Sequence, residues 1–308
     1  MNIVPLIIDT DPGVDDALAI LLAIAAGMPV AAITTVFGNA DAEQTTQNAL
    51  TLLELIGEKK IPVFEGASGP LQKSPRFAEA HGEAGFGGFE LSMTRTKEAQ
   101  SAADGMRSIL ESSGTDIACL GPLTNLATLL SSSNLASKIR TLIMLGGVIG
   151  ERGNISPYAE FNVYNDPDAL KLVLEKTNKG ILIPANICRK VTFTKKDFDL
   201  LPAGKLRSGI TQIVDFYIDY YCRDSIYGGF TGGVMYDVLT MAYLLKPELF
   251  TLKPACIAVN VSDSERRGET TVTKGKPNCR IATNVDAEGV KTLFFTAVSS
   301  KIREEKEE

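Results

Sequence analysis

A single histidine, His81, occurs among 308 residues. A Ser-His-Asp arrangement is therefore available only if that one imidazole supplies it. Cysteine is scattered: Cys119, Cys188, Cys222, Cys256 and Cys279 form no C-x-x-C pair. Their odd number and dispersion argue against a disulfide scaffold or zinc framework and suit reduced thiols in the cytoplasm. Positive charge is in deficit, with a formal net charge of -6 and no basic stripe, the opposite of a nucleic-acid-binding surface. The longest apolar run, Ala17 to Gly27, is too short to cross a bilayer. The N-terminus lacks the basic n-region and cleavage site of a secretory signal. The chain also has no G-x-x-x-x-G-K-[ST], and no G-x-G-x-x-G after a strand, which disfavours nucleoside triphosphates and dinucleotides. These absences predict a soluble cytoplasmic protein with no membrane or nucleic-acid partner.

What is present is a composition of 44% hydrophobic and 22% charged residues, enough for one large α/β domain. Short β-branched runs alternate with helical stretches. Strands are predicted at 3–8, 30–36, 61–64, 116–120, 141–145 and 180–183, and helices at 14–26, 42–56, 99–112, 123–130 and 166–175. The alternation predicts an open, mainly parallel, Rossmann-like sheet with helices on both faces and a mixed edge, and an active site at the carboxyl ends of the strands. Beyond Gly180 the pattern loosens into helices at 209–223, 234–244 and 287–302, with extended segments at 255–261 and 279–284. With no internal repeat or low-complexity linker, residues 1–308 read as one domain, ending in a frayed charged tail at 303–308. Two glycine-rich stretches, 80–89 and 227–233, read as loops able to close over a site.

Four carboxylates crowd the turn after the first strand: Asp9, Asp11, Asp15 and Asp16. Two ionised carboxylates about 5 Å apart repel by roughly 3 kcal/mol at an effective dielectric near 20, and a helix N-terminus offsets only about 1 kcal/mol. Capping by Asp11, with Asp15 and Asp16 favoured by the first-turn dipole, explains part of the cluster but not Asp9. An all-oxygen site at a turn points to Ca²⁺ or Mg²⁺. It is not an EF-hand, because the twelfth position from Asp9 is Ile20.

Other polar groups recur just past strand ends. They are Asn39, the Leu120 carbonyl, the segment closing at Leu145, and Asn154, Glu160, Asn162 and Asp237. Singly each reads as a turn or cap residue. Together they place acceptors and amides on one rim, suited to a polyhydroxyl ligand.

These segments resemble the nucleoside hydrolases of the inosine–uridine-preferring type. The likeness rests on Asp9-Thr-Asp-Pro-Gly-Val-Asp-Asp16, Thr34-Thr-Val-Phe-Gly-Asn39, His81-Gly-Glu-Ala-Gly85, Gly121-Pro-Leu-Thr-Asn125 and Ala159-Glu-Phe-Asn162 with Asp166-Pro167, in that order. The resemblance implies hydrolysis of the N-glycosidic bond of ribonucleosides by a homodimer or homotetramer. It implies Ca²⁺ held by Asp11, Asp16, the Leu120 carbonyl and Asp237, with Asp11 as general base toward a metal-bound water. Asp15, Asn39, Asn154, Glu160 and Asn162 would bind the ribose, with Leu145 and Asp237 beside it and Asp9 in support.

One position departs from the pattern. Many members carry a histidine immediately before the last metal aspartate, and here that residue is Tyr236. A phenol transfers a proton less readily than imidazolium near neutral pH, so assistance to the departing base falls to Tyr236, to His81, or to a residue within 215–227. Two other readings compete. Leu6-Ile-Ile-Asp-Thr-Asp11 also fits the start of a haloacid-dehalogenase-type Mg²⁺ phosphatase, but that scheme has no place for Asp15 and Asp16. The change at Tyr236 also suits a non-catalytic nucleoside- or ribose-binding homologue.

Overall fold

Strands with apolar residues at successive positions can be buried on both faces, as parallel strands covered by helices are. Leu6-Ile7-Ile8 is such a run, and the computed structural model buries all three. It describes residues 4–91, 94–223 and 229–304. The main sheet contains β1 (Leu6–Thr10), β2 (Val30–Thr35), β3 (Val63–Phe64), β4 (Thr115–Cys119), β5 (Ile139–Leu145) and β6 (Gly180–Ile183). A small ribbon pairs β7 (Thr192–Phe193) with β8 (Gly233–Val234). The sheet is completed by β9 (Phe250–Val259), β10 (Thr270–Thr273) and β11 (Cys279–Val285).

The nine strands of the main sheet lie in the order β10-β9-β11-β6-β5-β4-β1-β2-β3. Pairing is parallel from β11 to β3, while β9 runs antiparallel to both β10 and β11. The predicted mixed edge is therefore present. Its outermost strand, β10, was absent from the sequence reading. From β1 the chain builds outward first through β2 and β3, then on the other side through β4, β5 and β6. The order thus reverses between β1 and β4, and a crevice at their carboxyl ends is where open α/β sheets bind ligands.

Each face of the sheet has its own core. Ile8, Ile33 and Ile143 join residues of the helices Val14–Ala25, Ala42–Ile56, Lys205–Cys222 and Ala287–Glu304. Ile7, Ile117 and Leu142 join Met106, Leu126 and Leu170 from the helices Ala102–Ser112, Thr124–Ser131 and Pro167–Thr177. The helix Val14–Ala25 is buried from Val14 through Ala23, as a helix apolar on all sides beyond its first-turn aspartates must be. The last helix runs through Glu304, and 305–308 of the expected tail lie outside the described residues. Among the described residues no helix is long and apolar enough to cross a membrane.

Candidate active site

Asp9 is the fourth residue of β1 and Asp11 lies one residue beyond the strand. The N-cap of the helix that follows is Gly13, not Asp11. Its amide is satisfied by Asp16, which accepts Gly13 N–H at 2.9 Å together with the Thr10 hydroxyl and, at 2.9 Å, Asn39 Nδ2. Capping therefore accounts for Asp16 alone. Asp11 Oδ2 instead accepts the main-chain N–H of Asn39 at 2.9 Å. A Cβ at Gly38 or Gly121 would collide with the Asp11 carboxylate oxygens. The glycines of Gly38-Asn39 and Gly121-Pro122 thus leave the space that this carboxylate fills.

Asp237 arrives from far along the chain. The β7–β8 ribbon and a bond from Met235 N–H to the Val191 carbonyl at 3.0 Å set its segment. Tyr236 N–H donates to Asp15 Oδ2 at 3.2 Å, tying the two segments together. Asp15, Asp16 and Asp237 are buried, and each offers an oxygen within 4.8 Å of the others. Among the described residues Asp237 Oδ1 has no hydrogen-bond partner. Asp11 and the Leu120 carbonyl border the same cavity but stand outside that trio. The Leu120 carbonyl accepts Asn162 Nδ2 at 2.5 Å.

Burial first, then neighbouring negative charge, drives these carboxyls upward. Asp11 and Asp237 are held well above the ordinary carboxylate range, each with Asp16 as the leading charged neighbour. Asp15 and Asp16 are raised as well. Asp9 is pushed up to about 7 by burial, although Asn125 and Thr34 donate to its Oδ1 at 2.8 and 2.7 Å. A nest of buried oxygens that repel one another, two of them (Asp9 Oδ2 and Asp237 Oδ1) without a hydrogen-bond partner among the described residues, fits a hard divalent cation.

One cavity of about 440 Å³ is lined by Asp11, Asp15, Asn39, His81, Leu120, Leu145, Asn154, Glu160, Asn162, Tyr236 and Asp237. Of the predicted site residues only Asp16 lies beneath its surface, fully buried. Glu160 Oε1 accepts Asn162 N–H at 2.8 Å, and its Oε2 accepts Gly147 and Val163 N–H at 2.9 and 3.1 Å. Burial raises this carboxyl nonetheless. Asn154 Oδ1 accepts Phe161 N–H at 2.8 Å.

His81 differs from a ready proton donor. Its Nδ1 accepts Val14 N–H at 3.0 Å and lies 3.8 Å from Asp15 Oδ1, and burial lowers its pKa to about 3. The imidazole is therefore neutral at physiological pH. Its loop is pinned to the elbow by Asn48 Nδ2, which donates to the Pro12 and Ala84 carbonyls at 2.9 Å each. Gly82, Gly85, Gly87 and Gly88 all take positive φ there, a conformation open to glycine at little cost. Of the second glycine-rich stretch, 227–228 lie outside the described residues, as do 224–226.

The sequence reading passed over Thr10 and Asn48, which buttress the elbow. Thr10 alone carried a signal, as the hydroxyl inside Asp9-Thr-Asp11. From the stretches 77–89 and 217–230, where the sequence places the base pocket, Phe77, Tyr220 and Tyr221 border the cavity. The ring of Tyr217 lies 5.2 Å from that of His81.

Comparison with known proteins gives one answer. The family model described as inosine-uridine preferring nucleoside hydrolase matches residues 6–292. A pyrimidine-specific ribonucleoside hydrolase, RihA, of Escherichia coli O7:K1 is 34% identical over 303 residues, covering 94% of this chain and 96% of that protein. Among solved structures, a plant nucleoside hydrolase superposes with a TM-score of 0.90 at 31% identity, covering 96% of this chain and 99% of the other. A purine-preferring ribonucleoside hydrolase from Gardnerella vaginalis gives 0.90 at 28% identity, covering 97% and 99%.

Proposed function

This chain belongs to the inosine-uridine preferring nucleoside hydrolase family, an enzyme that hydrolyses the N-glycosidic bond of ribonucleosides, and we propose that it does so with Ca²⁺ and with Asp11 as general base. The observation that carries the reading is the buried Asp15–Asp16–Asp237 trio, with its unpartnered Asp237 oxygen, beside a cavity at the reversal point of the sheet. Nothing among the relatives favours the phosphatase reading.

Asp11, Asp16, the Leu120 carbonyl and Asp237 would hold the cation. When bound, it neutralises the carboxylates and polarises the oxygens presented to it. Asp11 is fixed by Asn39 N–H and accepts the proton of the attacking water. Asp15, Asn39, Asn154, Glu160 and Asn162 bind the ribose hydroxyls, and the surrounding carboxylates stabilise the oxocarbenium-like sugar as the bond to the base breaks. Tyr236 faces the departing base as hydrogen-bond donor in preference to His81, whose imidazole is held neutral. Leu145 closes the cavity wall, and Phe77, Tyr220 and Tyr221 form an aromatic side for the base.

The five cysteines are all free, which supports a reducing, cytoplasmic location. The family likeness supports a homodimer or homotetramer, to be measured by light scattering. One experiment tests the central reading: ribose release from a panel of purine and pyrimidine nucleosides, with and without a chelator, for the parent and Asp11→Asn. Turnover that survives both chelation and the substitution refutes it.

A further inference from the structure

Three of the four residues of β10 are exposed, and Thr270 alone is buried, at 3%. A buried strand position is served equally well by valine, which has the same shape and no polar atom to satisfy. The hydroxyl of Thr270 has a use. Its Oγ1 accepts Val148 N–H at 3.0 Å and donates to the Val148 carbonyl at 2.9 Å. Val148 lies just past β5, at the end of Leu145-Gly146-Gly147-Val148.

Two adjacent glycines set no conformation of their own, so this turn is held from outside. The Gly147–Val148 peptide is gripped at both ends: the Gly147 carbonyl accepts Ala185 N–H at 2.9 Å, and Val148 N–H goes to Thr270. A Cβ at Gly147 would lie 2.8 Å from Thr270 Oγ1, so the threonine packs on the turn itself. One peptide earlier, Gly147 N–H donates to Glu160 Oε2 at 2.9 Å. On the other side, Glu269 forms an antiparallel bridge with Ala159, the residue before Glu160. Residues 269 and 270 thus brace both supports of a carboxylate that lines the cavity.

We propose that Thr270 is a positioning residue for ribose binding: by clamping both main-chain polar groups of Val148, it keeps the Gly147 N–H on Glu160 and so fixes the direction of that carboxylate. This rests on the reading of Glu160 as a ribose ligand. A carboxylate offers about four lone-pair sites. On Glu160 the N–H groups of Gly147, Asn162 and Val163 take three of them. The one left over is aimed at a sugar hydroxyl only while the other three stay occupied. Thr270 does not itself line the cavity, so its influence on the sugar passes through Glu160, as outer hydrogen bonds lock the groups that touch a ligand.

The test takes whichever of inosine or uridine the parent cleaves faster, with its 2′-, 3′- and 5′-deoxy forms, and measures kcat/KM for each with enzyme in excess. Thr270→Val, which keeps the shape and removes both hydrogen bonds, is expected to lower kcat/KM on the full nucleoside about tenfold, short of the roughly 10²-fold of a 1 Å misplacement. Thr270→Ser keeps the hydroxyl and is expected to stay within about twofold of the parent. Thr270→Ala carries the test should the valine variant unfold. For one deoxy form the loss is expected to vanish, and Glu160→Gln is expected to lose nothing on that same form. Equal losses on all three deoxy forms, insensitivity to a different hydroxyl from that of Glu160→Gln, or no loss at all overturn the role of Thr270. Equal losses of Glu160→Gln on all three refute instead the reading of Glu160 as a ribose ligand, and a parent that cleaves neither nucleoside refutes the hydrolase reading.

Discussion

Asn39 holds Asp11 from two sides: its main-chain N–H donates to Asp11 Oδ2, and its side-chain Nδ2 donates to the Asp11 carbonyl, both at 2.9 Å. The same Nδ2 donates to Asp16 Oδ2 at 2.9 Å. One amide therefore fixes the proposed base and a proposed cation ligand together.

Asn39→Asp keeps the shape and turns that donor into a further carboxylate. Placing an unpaired charge there is expected to cost about 3 kcal/mol of stability in chelator at pH 7.5, with ribose release reduced at least tenfold. Urea unfolding with the sugar assay checks both. A variant as stable and as active as the parent would show that the amide positions nothing.

Gly121 tests the space around the base. A Cβ there meets the Asp11 carboxylate and Val36, so Gly121→Ala must displace Asp11 or shift β4. Overpacking of this kind costs about 1–3 kcal/mol, and a displacement near 1 Å of a reacting group costs about 10²-fold in rate. The expected signature is a fall in kcat that exceeds any rise in KM. Unchanged kcat would place the base elsewhere.

The raised carboxyls set a pH dependence whose sign is opposite to that of an ordinary paired aspartate. Asp9 rises from 3.8 to about 7, and Asp11 and Asp237 rise as well. A group that binds its proton more tightly when folded favours the folded state below its unfolded pKa, and that advantage is lost as pH climbs through the folded value. In chelator, stability should therefore fall between pH 4 and about pH 7. A cation binds the ionised forms and reverses the loss, so the Tm gain from Ca²⁺ should grow from pH 5 to pH 8. A gain independent of pH would separate the cation from these carboxyls.

Deoxyribonucleosides should be poor substrates, because the proposed site holds the ribose through its hydroxyls, with the 2′-hydroxyl among them beside the proposed cation. Losing such a contact in a site built around it is expected to lower kcat/KM by about 10²-fold or more. Equal turnover of inosine and deoxyinosine would remove the 2′-hydroxyl from that position.

Much of this was legible before any coordinates. The runs at 30–36 and 180–183 became β2 and β6 because β-branched residues in short apolar stretches have few other stable uses. The segment 42–56 became a helix with those bounds, since Asp41 caps its start, accepting Gln44 N–H at 2.8 Å, and Gly57 ends it in left-handed backbone. Strand β10, Thr270–Thr273, was missed because three of its four residues are exposed, leaving no alternating pattern to read. The glycine-rich segment at 80–89 read as a closing loop, yet His81 and Phe86 are buried and pinned by contacts from distant elements.

The sequence by itself determined the alternation of strand and helix, and with it the parallel sheet and the acidic elbow where β1 meets its helix. These follow from local period and composition, which act within a few residues. Only the tertiary structure decided that Asp237 joins Asp15 and Asp16, that Asn39 locks Asp11, and that Asp15 is tied to the Tyr236 amide. Those pairings join residues far apart in the chain, brought together by strand order and by a two-residue ribbon too short to announce itself.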